Sequence, residues 1–207
     1  MIMTSFTGSH QEQMQQALKQ WQSYQASFSV ALAIAPSFLY FVIALHGFLG
    51  VGFGLKKMTG ITLTVFYLLC ATVSYGAQLT MVPFYLRHQM PAMAEIWFFF
   101  NVNSISYFIN QTGYALWGLA VILLFGSLVK QRGMVQWIGI LFVASSLLSL
   151  VAYAGLLLEI PFANALTLAS GILVFPIAVL ACLVSIKNRK ARSESDQPSE
   201  ENPLEES

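Results

Sequence analysis

Charge is the scarcest property of this 207-residue chain: Asp, Glu, Lys and Arg make up 9% of it and apolar residues 57%, where a soluble domain carries roughly 25% charge. That shortage excludes an ordinary soluble domain and points to a membrane. Ten basic and nine acidic residues leave a net charge of +1, which offers no surface for nucleic acid and none for an acidic substrate. Histidine is limited to His10, His46 and His88, and aspartate to Asp196. An HExxH zinc protease, an intramembrane Asp pair and a bis-histidine haem within the core are therefore excluded. The G-x-S-x-G elbow is missing too. Cys70 and Cys182 both fall inside apolar runs and describe neither a disulfide framework nor a zinc pattern. The expectation is a protein that is not an enzyme and holds no cofactor or metal.

What is there is apolar sequence of membrane-spanning length, for which about 20 residues suffice. Five stretches qualify: Val30–Gly54, Ile61–Pro83, Ser106–Val129, Met134–Leu158 and Asn164–Ile186. They are continuous rather than alternating, so a helical bundle is predicted and a barrel is not. Basic residues collect in short cytoplasmic loops. Five crossings put Lys56, Lys57, Lys130, Arg132, Lys187, Arg189, Lys190 and Arg192 on one side and leave Lys19 and Arg87 on the other. This predicts a plasma-membrane protein with its N-terminus outside and its C-terminus inside. The predicted fold is an all-α polytopic transmembrane bundle of five spans, six being the upper count.

Residues 1–29 lack the basic start of a secretory signal and carry Met14, Leu18, Trp21, Tyr24 and Phe28 at helical spacing, with Ser9 as a candidate N-cap. They are expected to form an amphipathic helix on the outer surface. Glu95 through Phe100 is too short to span; it suits an interfacial helix anchored by Trp97 and its three Phe, or the start of a run-on third span. From Lys187 the chain is basic and then acidic, a composition expected to be a disordered cytoplasmic tail over residues 187–207.

Polar residues inside a bilayer are costly and tend to face the bundle interior. On the third span Asn103, Tyr107, Asn110, Tyr114 and Trp117 recur at spacings that give one stripe, flanked by Gln111 and Thr112. Tyr40 and Ser37 on the first span, Tyr75 and Gln78 on the second and Tyr153 on the fourth offer polar groups at similar depth, with Arg87 and Glu159 at the rim. One outcome is an outward-facing pocket in which amides and phenols bind a small or lipidic ligand; the ligand-binding candidates are Asn103, Tyr107, Asn110, Gln111, Tyr114, Gln78 and Tyr40. The other outcome is that these groups bond one another across helices. His46 is expected to be neutral and bonded to a neighbouring helix. Gly47, Gly50 and Gly54 present a small face for close helix packing, and Pro36 and Pro176 are expected to kink the first and fifth spans.

The stretch Phe98–Gly133, with Gly113-Tyr114-Ala115-Leu116-Trp117-Gly118-Leu119 and the turn Lys130-Gln131-Arg132-Gly133, followed by Trp137-Ile138-Gly139-Ile140-Leu141, resembles part of a family of small bacterial multi-pass membrane proteins of unknown function. The resemblance implies architecture alone. That family usually has six spans and a His in the polar entrance, where this chain has Asn101 and Asn103. The sequence thus leads to a bilayer protein that binds or senses a small or lipidic ligand, or assists a larger membrane complex. The alternative is a small secondary transporter, whose symmetry a homodimer would restore.

Overall fold

The computed structural model describes residues 8–48, 54–160 and 163–195, and all regular structure among them is helical. In chain order these are α1 (His10–Lys19), α2 (Trp21–Phe48), α3 (Leu55–Leu79), α4 (Met81–Arg87), α5 (Pro91–Trp97), α6 (Ile105–Phe125), a 3-10 turn (Gly126–Lys130), α7 (Met134–Leu157), α8 (Ala163–Ile172) and α9 (Val174–Ser195). Five segments are long and apolar enough to cross a membrane: Trp21–Leu45, Leu55–Arg87, Ile105–Lys130, Met134–Leu157 and Ala165–Lys187.

The bundle is organised on an antiparallel seam between α3 and α6. Gly60, Thr64, Tyr67, Ala71, Ser74 and Gln78 are buried at alternating spacings of four and three on α3, and Ser106, Asn110, Gly113, Trp117, Ala120 and Leu124 repeat that spacing on α6. Such a pattern keeps one face turned to a single partner helix. The register follows from the contacts: a Cβ on Gly60 would lie 2.6 Å from Leu124, one on Gly113 would lie 2.9 Å from Cys70, and Ser74 bonds Ser106. The seam is therefore small and apolar at one end and polar at the other. Close approach recurs at Gly118 against the Ser146 carbonyl and at Gly139 against the backbone of Leu128 and Val129. Of the expected packing face on Gly47, Gly50 and Gly54, Gly47 and Gly54 have no neighbour within 4 Å among the described residues, and Gly50 lies outside the described residues.

Proline sets two of the helix ends. A proline lacks the N–H for its i−4 carbonyl, and its ring clashes with that carbonyl. α3 ends at Leu79, four residues before Pro83, and α8 ends at Ile172, four before Pro176. The second span is thus interrupted at Thr80 between α3 and α4, a break the sequence reading did not include, and the fifth at the single residue Leu173 between α8 and α9. Pro36 is accommodated within an uninterrupted α2.

At the polar end of the seam, α1, α4, α5 and the loop to α6 form a cap. Met14, Ala17, Tyr24, Phe28, Val82, Ala94 and Phe98 make its own apolar core. α1 opens on a capping box between Ser9 and Glu12, which satisfies two of its free N–H groups. α2 begins at Trp21, so residues 21–29, assigned from sequence to the surface segment, extend the first long helix instead. α5 starts at Pro91, its missing N–H costing nothing at a first helical position. Within the aromatic run after it, Phe98 is fully buried, its ring centroid 6.4 Å from Tyr24, whereas Phe100 is exposed. Beyond Lys187, where a disordered tail was expected, α9 continues as helix to Ser195; residues 196–207 lie outside the described residues. Lys and Ala in Lys187–Ala191 are good helix formers, which accounts for the extension.

Candidate functional site

The polar end of the seam contains two arrangements of different character. The first is centred on Gln78, which is fully buried. Its Nε2 donates to the Trp97 carbonyl at 2.7 Å, to Ser106 Oγ at 3.0 Å and to the Ser74 carbonyl at 3.1 Å. Its Oε1 accepts from the Tyr24 hydroxyl at 2.8 Å and from the Phe99 N–H at 3.0 Å. One amide side chain thus fastens α2, α3, the end of α5 and α6 together. Ser74, one turn before it on α3, donates to the Ser106 carbonyl at 2.8 Å and closes the same joint.

The second arrangement lies one turn deeper, among α2, α3 and α6. The Tyr75 and Tyr114 hydroxyls are 3.4 Å apart, and Tyr75 also meets the Asn110 side chain. Asn110 is 2% exposed, and its Oδ1 is the one buried side-chain polar atom among the described residues without a hydrogen-bond partner. Burying an acceptor without a donor costs about 1–3 kcal/mol, so Asn110 Oδ1 is the least satisfied side-chain polar atom among the described residues. Aromatic rings roof it on the cap side. Phe28 lies 6.1 Å from Tyr75 and 5.7 Å from Phe99, and Phe99 lies 5.8 Å from Tyr75 and 6.0 Å from Tyr107, centroid to centroid. Below, Tyr67 lies 5.8 Å from Tyr114 and 5.7 Å from Trp117.

The predicted residues therefore separate. Asn110 and Tyr114 meet with Tyr75 in the deeper cluster, and Tyr107 stands in its roof. Gln78 is saturated by protein partners in the joint above. Gln111 is buried on the other side of α6, where its Oε1 accepts from Thr167 of α8 at 3.1 Å, and Thr112 meets Tyr153 of α7 at 3.3 Å. Asn103 is exposed in the loop, its N–H bonded to Asn101 Oδ1. Tyr40, 76% exposed, points out of the bundle, and Ser37 bonds back to its own helix. The His46 side chain lies outside what the structure describes.

Sequence reasoning missed a third polar group, between α7 and α8. Ser145 Oγ and Ser170 Oγ each donate to the other's carbonyl at 3.0 Å, and Ser149 Oγ lies 2.6 Å from Ser170 Oγ. The spacing of Ser145 and Ser149 on one face of an otherwise apolar helix was the available signal. Among the described residues no three His, Cys, Asp or Glu side chains come together as metal ligands.

Five apolar spans around an internal polar seam define a multi-pass helical membrane protein. Compared with protein-family models, with curated proteins and with solved structures, the chain matches none.

Proposed function

We propose that this is a non-enzymatic plasma-membrane protein, N-terminus outside, that binds a small neutral or lipidic ligand at Asn110, Tyr75 and Tyr114 beneath the cap, either sensing that ligand or presenting it to a larger membrane complex. The observation that carries the reading is the unpartnered, buried Asn110 Oδ1. It calls for a donor such as a hydroxyl or amide N–H, while the surrounding aromatic rings supply apolar area. The test is native mass spectrometry of the protein released from mild detergent, beside an Asn110→Leu variant. A co-purifying mass present in the parent, lost in the variant and accompanied by an unchanged or higher melting temperature is expected. Bare protein in both would remove the reading and leave a buried water as the partner of Asn110.

A second reading, a small secondary transporter working as a homodimer, is favoured by the interruption at Leu173 between α8 and α9, near Ser145, Ser149 and Ser170. Interrupted helices near mid-membrane free backbone carbonyls for ions and substrates. Its test is crosslinking in native membranes, where a monomer at every protein density counts against it.

A further inference from the structure

A separate place in the cap has the attributes of a binding site for a charged amphiphile. α1 and the α4–α5 turn enclose a groove of about 330 Å³ lined by Met14, Gln15, Leu18, Leu86, Gln89 and Pro91. Four of these are apolar and two carry amides. Its wall is held in place: Met14 and Ala17 are each 1% exposed in the cap core, and His10 Nδ1 lies 3.2 Å from Glu95 Oε1, fixing α1 to α5. The groove is therefore formed before anything binds.

Its charge is one-sided. On the helices that build it, the carboxylates are engaged, Glu12 in the α1 capping box and Glu95 with His10. The cations are not: Lys19 and Arg87 are exposed and form no ion pair among the described residues. Lys19 follows the lining residue Leu18 and stands one helical turn after Gln15, and Arg87 lies between the lining residues Leu86 and Gln89. A free phosphate would make no use of the apolar floor, and an acyl chain alone would make none of the cations. The groove also lies at the end of the candidate span Leu55–Arg87, where the chain leaves the apolar run.

We propose that this groove is a site for one anionic phospholipid, its phosphate between Lys19 and Arg87 and the start of an acyl chain along Met14, Leu18, Leu86 and Pro91. The site is distinct from the Asn110 cluster and stands or falls without it.

The test titrates the purified full-length protein in mild detergent with phosphatidylglycerol or phosphatidylcholine of equal chain length and reads bound lipid by native mass spectrometry. A basic residue near an anionic headgroup favours it roughly fivefold, so the pair gives a preference of roughly 25-fold for phosphatidylglycerol. Lys19→Gln/Arg87→Gln is expected to bring the ratio to about one, and Lys56→Gln/Lys57→Gln, which removes the same charge at the opposite end of the bundle, to leave it unchanged. Should the double variant not fold, each single substitution lowers the ratio roughly fivefold and carries the test. Equal retention of both lipids by the parent overturns the proposal, as does an unchanged ratio in the Lys19/Arg87 variants. Equal loss in both double variants reduces it to net charge, and displacement of the lipid by excess glycerol 3-phosphate shows a phosphate site instead.

Discussion

Replacing Gln78 by Leu keeps the volume of the side chain and removes the amide that ties cap to bundle. Five hydrogen bonds disappear, to Tyr24, Ser74, Trp97, Phe99 and Ser106. Interhelical hydrogen bonds in membrane proteins average about 0.6 kcal/mol each, so the four that leave α3 sum to about 2.4 kcal/mol. An independent route counts the groups stranded by the change. The Ser74 carbonyl retains its helical environment and Ser106 can turn, which leaves chiefly the Phe99 N–H and the Trp97 carbonyl at about 1–3 kcal/mol each. Both routes meet at about 2–3 kcal/mol. For a domain of this size that corresponds to a fall in melting temperature of about 4–12 °C. Intrinsic fluorescence is a suitable readout, because Trp97 sits in the joint itself. The control is Tyr40→Phe, whose hydroxyl points out of the bundle and whose loss is expected to be silent. A fall of less than about 2 °C for Gln78→Leu, indistinguishable from that control, would refute the joint as the element that holds the cap.

Gly139→Ala places a methyl group 2.6–2.7 Å from the backbone of Leu128 and Val129 and is expected to destabilise by about 1–3 kcal/mol, whereas Gly47→Ala, with open space around it, is expected to be neutral or stabilising; denaturation in detergent compares the two. Single cysteines at Lys56, Lys130 and Lys187, in a chain with Cys70→Ala and Cys182→Ser, are expected to react with an impermeant thiol reagent only after the membrane is opened, since the antiparallel succession of α3, α6, α7 and α9 brings these positions to one end of the bundle; labelling on opposite faces would break the five-span arrangement. Ser170→Ala removes the hydroxyl that meets both Ser145 and Ser149 and is expected to lower stability by about 1–2 kcal/mol, with faster hydrogen exchange on α8 than on α3.

The five spans were legible because the bilayer demands long apolar runs, and nothing else in the chain supplies them. The polar stripe on α6 was legible as well, because polar residues at helical spacing in an apolar segment are rare. What each stripe residue meets was not. Asn110 and Gln111 are neighbours in sequence and face different helices, a distinction that depends on where α3 and α8 dock. Tyr40 looked like Tyr75 because α2 is apolar nearly all round and its sequence contains no mark of which side turns inward. Pro83 was taken as the end of a span, where it ends α3 one turn earlier by clashing with the Leu79 carbonyl. Serine at positions 145, 149 and 170 reads as small filler until two helices bring the hydroxyls within bonding distance. The glycines divide for the same reason: Gly113 and Gly139 matter through the neighbours they admit, and the Gly-rich run before α3 has none at Gly54.

A joint that gathers partners from residues 24, 74, 97, 99 and 106 on one amide also constrains how the protein is made. Until the third span has entered the bilayer, Ser106 is absent and the Gln78 Nε2 group lacks one of its acceptors. Arrival of the third span then adds the Ser106 contacts to Gln78 and Ser74 and joins cap to seam. A chain stalled before residue 106 already contains Tyr24, Ser74, Trp97 and Phe99, so it is the last tie of the joint, to Ser106, that couples the third span to the cap.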